Sequence, residues 1–202
     1  MRARLAIASS DTKCEIREVV LRDKPAEFIA ASQKATVPVL VDIDGAVLEE
    51  SLDIVNWALR GNDPERLLPE DERAHEAMQA VIERLDGSFK QSLDRYKYTN
   101  RHAGADAAAE REKASEFLKD LDKQLVGSSW LFGDEPSYAD FAVLPFVRQF
   151  AFVDRPWFDA QPWPDLRVWL DRFIDSQRFH AIMVKYPKWL SGDDPTLFPP
   201  GQ

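Results

Sequence analysis

The chain has 202 residues, of which 45% are hydrophobic and 30% charged, and its formal net charge at pH 7 is -9. These proportions are typical of a globular protein, and the length suffices for one large domain or two small ones with a buried core. The net negative charge argues against nonspecific binding to nucleic acids or to anionic membranes, which repel an acidic protein. We therefore expect no nucleic-acid partner and no membrane association.

Cysteine and histidine are sparse. Cys14 is the single cysteine, which excludes an intramolecular disulfide and argues against a thiolate metal cluster. This usage is typical of a reducing compartment, so we expect a cytoplasmic location. His75, His102 and His180 show no metal-ligand spacing, and no metal is expected. The basic start of the chain has an apolar part, residues 5–8, that is shorter than the roughly 7–15 residues of a signal-peptide core.

The N-terminal part of the chain mixes helical and strand patterns. "MRARLAIAS" resembles a fragment of a helix, and "CEIREVVL", residues 14–21, alternates as a well-buried strand does. "KPAEFIAAS" predicts a short helix with Pro25 near its first turn. "VPVLVDI" and "AVLE" predict two strands joined by a two-residue turn at Asp44-Gly45, a strong hairpin signal. Ser51 is predicted to cap the helix that follows and ends at Gly61.

Residues 62–71, "NDPERLLPED", form a proline-punctuated linker. Beyond it, apolar residues step by threes and fours, which predicts helices and no strand, the first of them a single long helix over residues 74–96. Ser137 and Asp140 have the spacing of a capping box at the start of one helix. The tail of the chain is predicted to be extended. The sequence thus predicts a small α/β domain at 1–61 and an all-helical domain at 72–202.

Two motifs in the small domain can bind a ligand. If the Val37–Pro38 peptide bond is cis, the backbone of Val37 is exposed and can pair with an extended peptide. The alternative is an ordinary trans proline that begins a strand. Glu50 and Ser51 stand at a helix N-terminus, which favours a carboxylate, so together they suit the α-amino-acid end of a ligand. The alternative is an ordinary helix N-cap preceded by an acidic residue, with no ligand.

These stretches resemble the cytosolic glutathione S-transferase family. "VPVLVDIDGAVLEESLDIVNWAL" is similar to the second half of that family's thioredoxin-like domain. "PSYADFAVLPFVRQF" is similar to its helical domain, where a Ser-x-x-Asp capping box opens the core helix. The resemblance covers nearly the whole chain, with both domains in the right order. It implies an α/β thioredoxin-like N-terminal domain followed by an all-α C-terminal domain.

The resemblance also implies a ligand and the residues that hold it. Glutathione is the implied cosubstrate, and Pro38 becomes the cis-proline beside Val37, whose backbone pairs with the cysteine of glutathione. Glu50 and Ser51 then bind the γ-glutamyl end. Lys34 approaches the glycyl carboxylate, with a solvated lysine as the alternative. The other implied partners are a small electrophile or disulfide and a second copy of the chain in a homodimer.

In one respect the sequence departs from the family. Members begin with a strand and a loop that carries the residue that activates glutathione, and "MRARLAI" is similar to the helix after that loop. The interpretation is that the first strand and the activating residue are absent. No catalytic residue is therefore predicted, and Cys14 is predicted to be a core or edge thiol.

The leading hypothesis is a glutathione transferase-like protein that binds glutathione for conjugation to electrophiles or for thiol–disulfide exchange. The alternatives are a noncatalytic binding or regulatory scaffold with the transferase fold, and a truncated gene model of an active enzyme. The chain as written is expected to have negligible conjugation or reductase activity.

Overall fold

The computed structural model describes residues 1–102 and 104–200. Its elements in chain order are α1 (Arg2–Ser9), β1 (Cys14–Glu15), α2 (Ala26–Ala31), β2 (Leu40–Val41), β3 (Val47–Leu48), α3 (Ser51–Gly61), α4 (Glu72–Arg84), α5 (Lys90–Lys97), α6 (Ala107–Leu125), α7 (Tyr138–Ala151), α8 (Arg155–Asp159), α9 (Pro164–Ile174), α10 (Gln177–Ile182) and β4 (Leu197–Phe198). A π-helical turn joins α4 to α5, and a 3-10 turn follows α5.

The described residues form two compact units. One consists of residues 1–65 together with 177–200, and the other of residues 66–176. The division near residue 65 falls inside the linker that the prolines indicate. Residues 177–200, which the sequence assigns to the helical domain 72–202, instead group with the first unit, because α10 packs on α1 and β4 pairs with β1.

The first unit is built on α1 and α3, which pack against each other. Leu5 and Val55 are 0% exposed and Ile54 is 1% exposed. Taking each such side chain out of water contributes roughly 1.5–3 kcal/mol. This apolar contact fixes α3, and with it the helix N-terminus at which the candidate ligand residues lie.

The predicted hairpin is present, and it is tied to α3. Leu40 of β2 lies opposite Leu48 of β3 in an antiparallel pair. The loop is one residue longer than predicted, because Asp42 N–H donates to the Ala46 carbonyl at 2.8 Å and leaves three residues between them. The Trp57 indole N–H of α3 donates to the Asp42 carboxylate at 2.7 Å. The turn end of the hairpin is therefore tied to α3.

The strand predicted at residues 14–21 is shorter than expected, and a strand that was not predicted pairs with it. β1 covers only Cys14–Glu15 and pairs antiparallel with β4, with Cys14 opposite Phe198. Beyond β1, Glu18 and Lys188 form an isolated bridge. Alternation in the sequence indicates extended chain, but the length of a strand depends on its partner. Here the partner is a proline-flanked tail that supports only a short ladder.

The second unit is helical, as predicted, and contains two features that the sequence pattern conceals. The single long helix expected over residues 74–96 is divided by a π-helical turn, where Gly87 adopts a non-helical backbone conformation (φ -85°, ψ -109°). The short helix α8 was not predicted. Asp154 caps it, accepting a hydrogen bond from the Trp157 N–H at 3.1 Å. Among the described residues, no helix combines the length and apolarity required to cross a membrane.

The predicted capping box at the start of α7 is confirmed. Ser137 Oγ donates to Asp140 Oδ2 at 2.6 Å, and the Ser137 N–H donates to the same oxygen at 2.9 Å. Asp140 Oδ1 accepts from the Leu131 N–H at 3.0 Å and from the Trp169 indole N–H at 2.8 Å. Burial raises the pKa of Asp140, while these four donors oppose the increase. The carboxylate therefore joins the start of α7 to α9 and to the preceding loop.

We expect Asp140→Asn to lower the free energy of unfolding by about 3 kcal/mol, because an amide NH₂ would face donors that now meet a carboxylate oxygen. Ser137→Ala should cost about 1 kcal/mol through loss of the cap. Urea unfolding followed by circular dichroism measures both. Asp134→Asn, the same chemical change at an exposed position of the preceding loop, is the control and should stay within about 0.5 kcal/mol of the wild type. Wild-type unfolding midpoints for Asp140→Asn and Ser137→Ala would contradict a structural role for the box.

Candidate functional site

Glu50 and Ser51 lie at the N-terminus of α3. Glu50 is the N-cap residue, with extended backbone angles (φ -105°, ψ 138°), and its side chain does not cap the helix. Ser51 is the first helical residue, so the predicted cap at Ser51 is wrong by one position. The reason is that the return strand stays extended through Glu50. Because the Glu50 side chain leaves the helix end, the first-turn N–H groups receive no cap from it, and they favour an anion.

A lysine and two carboxylates meet beside this helix end. Lys34 Nζ lies 3.1 Å from Glu50 Oε1 and 3.6 Å from Glu49 Oε2. Ser32 Oγ lies 2.5 Å from Glu49 Oε1 and donates to it. The hydrogen bond and charge of Glu50, followed by the charge of Glu49, raise the pKa of Lys34. The Ser32 hydroxyl, together with the charge of Lys34, lowers the pKa of Glu49.

The two carboxylates differ in how firmly they are held. Ser32 is 2% exposed, so it anchors Glu49 from a buried position. The side chains of Lys34 and Glu50 are 54% and 67% exposed, respectively. An exposed ion pair is weak, because water solvates both partners well. Glu49 is therefore a fixed charge, whereas the Lys34–Glu50 pair can be exchanged for another ion pair at little cost.

Val37 and Pro38 lie in the loop that leads into β2. The peptide bond between them is cis, as the family resemblance implies. Val37 is 50% exposed, and no hydrogen bond joins its backbone to another residue within 1–102 and 104–200. A turn precedes it, in which Ala35 adopts a left-handed conformation (φ 50°) and its N–H donates to the Ser32 carbonyl at 3.0 Å. The backbone of Val37 is thus available to a ligand in extended conformation.

The structure brings Lys34 and Glu50 into direct contact and leaves Ser51 next to them on α3. It gives Lys34 carboxylate partners within the protein, whereas the resemblance assigned it to a ligand carboxylate. Ser32 and Glu49 were not assigned any role from the sequence. Glu49 adjoins Glu50 in the sequence, so its proximity to the site could have been predicted. Ser32 lies 17 residues from Glu49, and no local pattern indicates that pairing.

Cys14 is half-buried, and burial, with a smaller contribution from the charge of Asp42, raises the pKa of its thiol. A raised pKa keeps the thiol protonated and makes it a poor nucleophile. Within the described part of the chain, no three His, Cys, Asp or Glu side chains are grouped so as to hold a metal ion.

Comparison with known proteins identifies the family. The family model described as "Glutathione S-transferase, N-terminal domain" matches residues 1–66, and "Glutathione S-transferase, C-terminal domain" matches residues 72–172. The chain belongs to the glutathione S-transferase family. The predicted family is therefore confirmed. A search among curated proteins finds no match.

Solved structures show the same fold. BphK, a bacterial glutathione transferase in a ternary complex, is 20% identical with a TM-score of 0.76, covering 90% of this chain and 92% of that one. A family member from Pseudomonas fluorescens pf-5 with two glutathiones bound is 18% identical, with a TM-score of 0.76 and coverages of 90% and 86%. Maleyl pyruvate isomerase, a bacterial transferase of the zeta class, is 24% identical, with a TM-score of 0.71 and coverages of 90% and 90%. These similarities confirm the predicted fold class, a thioredoxin-like domain followed by a helical domain.

Proposed function

We propose that this chain binds glutathione at the N-terminus of α3. The observation that carries the proposal is the ammonium group of Lys34, which lies on the Glu50 carboxylate beside the helix end. The γ-glutamyl end of glutathione carries an ammonium and a carboxylate on the same carbon. The ligand ammonium would take the place of Lys34 on Glu50, and the ligand carboxylate would accept hydrogen bonds from the Ser51 hydroxyl and from first-turn N–H groups of α3. Glutathione bound to the Pseudomonas family member supports this choice of ligand.

The middle of the ligand would pair with Val37. Val37 is half-exposed, no hydrogen bond to its backbone is found among the described residues, and it precedes a cis-proline. An extended peptide can use both its N–H and its C=O, as one strand does with another. The cysteinyl part of glutathione is extended when its two ends are held apart. Backbone pairing at Val37 would therefore fix the ligand sulfur, while the charges at the α3 end fix its orientation.

Lys34 would change partners when glutathione arrives. The ligand ammonium competes for Glu50, and the exposed Lys34 side chain is long and mobile enough to leave it. Once released, Lys34 would serve the glycyl carboxylate of the ligand. Ligand binding would then replace the contacts of Lys34 with Glu50 and Glu49 by two new ion pairs, while Ser32 continues to donate to Glu49.

We expect Glu50→Gln to weaken glutathione binding about tenfold or more, because a charge-assisted hydrogen bond to the ligand ammonium is lost. Ser51→Ala should weaken binding about three- to tenfold through loss of one neutral donor. Isothermal titration calorimetry measures the dissociation constants, and circular dichroism checks that each variant is folded.

Asp53→Asn is the matched control for the loss of charge, since Asp53 is an exposed acid in the first turn of the same helix. It should not weaken binding, because an acid at this end of a helix opposes a bound anion. Wild-type affinity in both Glu50→Gln and Ser51→Ala would remove the site assignment. If Asp53→Asn weakened binding as much as Glu50→Gln, the loss of affinity would come from the general loss of negative charge and not from a specific contact of Glu50.

The proposed exchange of partners by Lys34 can be tested separately. Lys34→Met should weaken binding of glutathione by up to about fivefold but should not weaken binding of glutathione monoethyl ester, whose glycyl carboxylate is masked. Calorimetry with the two ligands and two proteins forms a complete thermodynamic cycle. Equal weakening of both ligands would show that Lys34 does not serve that carboxylate. Tighter glutathione binding in Lys34→Met would show that it only competes for Glu50.

Two reactions are compatible with glutathione bound in this way. The glutathione thiolate can attack an electrophilic carbon and expel a leaving group, or it can attack a disulfide sulfur and release the other thiol. A chloronitroarene and a glutathione mixed disulfide distinguish them, and turnover that falls in Glu50→Gln belongs to this site. Tight binding without turnover of either substrate would instead favour a noncatalytic scaffold.

We further propose that the chain assembles as a symmetric homodimer, which is the commonest closed assembly and the one that the family resemblance implies. Light scattering at micromolar concentration tests this, and detection of only a 23.1 kDa species would contradict it. The proposed cytoplasmic location rests on the single cysteine, and fractionation of the source cells would test it.

A further inference from the structure

We propose that residues 184–199, here called the terminal strap, form a detachable strand that closes the open edge of β1 and controls access to the Cys14 thiol. This device is separate from the glutathione site and does not depend on it. The strap follows α10 and belongs to the same compact unit as β1. Backbone hydrogen bonds join it to the chain near residues 196–198 and at Trp189, and side-chain contacts anchor it at Phe198 and Trp189.

The backbone contacts show that the strap behaves as an added strand. The Ile16 N–H donates to the Thr196 carbonyl at 2.7 Å, next to the pairing of β1 with β4. Further along the edge, the Trp189 N–H donates to the Glu18 carbonyl at 2.9 Å. An open strand edge offers unpaired N–H and C=O groups to any extended chain. Here the chain's own tail satisfies them.

Phe198 anchors the strap at its β4 end. It is 2% exposed, although it lies only a few residues from the end of the described chain. The Arg4 guanidinium lies 5.9 Å from the centre of the Phe198 ring and 5.4 Å from that of Tyr186. Arg4 also donates to the carbonyls of Ile182 and Val184, each at 3.2 Å. Arg4 of α1 thus contacts both the beginning and the end of the strap.

Trp189 anchors the strap within its first half. The Arg17 guanidinium lies 4.7 Å from the centre of the Trp189 ring, a cation–π distance. Next to it, Lys188 forms an ion pair with Asp23. These contacts fix the part of the strap that passes Glu18, well away from the pairing of β4 with Cys14.

Between the two anchors the strap is weakly held. Residues 190–197 are exposed, and β4 itself is only two residues long. A segment with few buried contacts opens at a lower free energy than the core of its unit. α1 and α3, which bury Leu5 and Val55 completely, form that core. The strap can therefore open while the two helices stay packed.

The thiol that the strap shields is that of Cys14. Cys14 lies directly opposite Phe198 in the antiparallel pair, so their side chains share one face of the ladder and are neighbours. Burial contributes to the raised pKa of this thiol. Cys14 is half-buried with the strap in place, so opening the strap would expose the thiol further and free the edge of β1, and closing it would cover both again. The strap is thus a built-in switch for the reactivity of the only cysteine.

A thiol reagent tests the proposal directly, because an aromatic disulfide such as dithionitrobenzoate reports on one cysteine in this chain. Trp189→Ala removes the anchor that does not touch Cys14. If the strap opens as one piece, the rate of Cys14 modification should rise about fivefold or more. Leu190→Ala, at the neighbouring exposed position, is the matched control and should stay within about twofold of the wild type.

Hydrogen exchange measured by mass spectrometry separates opening of the strap from unfolding of the unit. Phe198→Ala should speed exchange in residues 184–199 and at the Ile16 amide while leaving α3 at wild-type rates. Leu197→Ala, 56% exposed beside Phe198, is its control and should change neither. A wild-type modification rate in Trp189→Ala would overturn the proposal. Exchange that rises equally in α3 would also overturn it, because the tail would then be part of the core.

Discussion

The hydrogen bond from the Trp57 indole to the Asp42 carboxylate, 2.7 Å long, ties the β2–β3 hairpin to α3, and the candidate site depends on that connection. The hairpin delivers Glu50 to the N-terminus of α3 in extended conformation. Ser32, which is buried, holds Glu49 and so fixes the preceding loop against the same point. Two polar bonds across the first unit therefore determine where the helix end, the adjacent carboxylates and the loop before β2 meet.

The two carboxylates beside the N-terminus of α3 explain why the Lys34 ammonium lies there. Glu49 and Glu50 are adjacent, and a chain with a net charge of -9 adds no general positive field. Two neighbouring carboxylates repel each other, and Lys34 relieves that repulsion by contacting both. A ligand ammonium can do the same. Exchange of one ammonium for another keeps the local charge balanced, and because the pair is exposed, neither state requires a buried unpaired charge.

Local features of this fold could be predicted from the sequence, whereas nonlocal ones could not. The hairpin at Asp44-Gly45 and the capping box at Ser137 depend on residues within a few positions of each other. The contact of Lys34 with Glu50 spans 16 residues, and β4 forms only because the tail meets β1. The cap of α3 was displaced by one residue because backbone angles, rather than side-chain preference, decide where the strand ends. The break at Gly87 was hidden because the apolar period continues through it.

The fold and the site carry different parts of the functional inference. Structural neighbours at 18–24% identity establish the fold. Because one fold hosts many activities, the chemistry has to be inferred from the residues of the site. In the described part of the first unit, the loop at Val37 and the edge of β1 both offer backbone groups to an extended chain. The tail of the chain pairs with the edge of β1, whereas the backbone of Val37 has no hydrogen-bond partner among the described residues. The position left open lies three residues from Lys34, which rests on a carboxylate as a ligand ammonium would. The proposed ligand, a short charged peptide, would satisfy both the backbone and the charges.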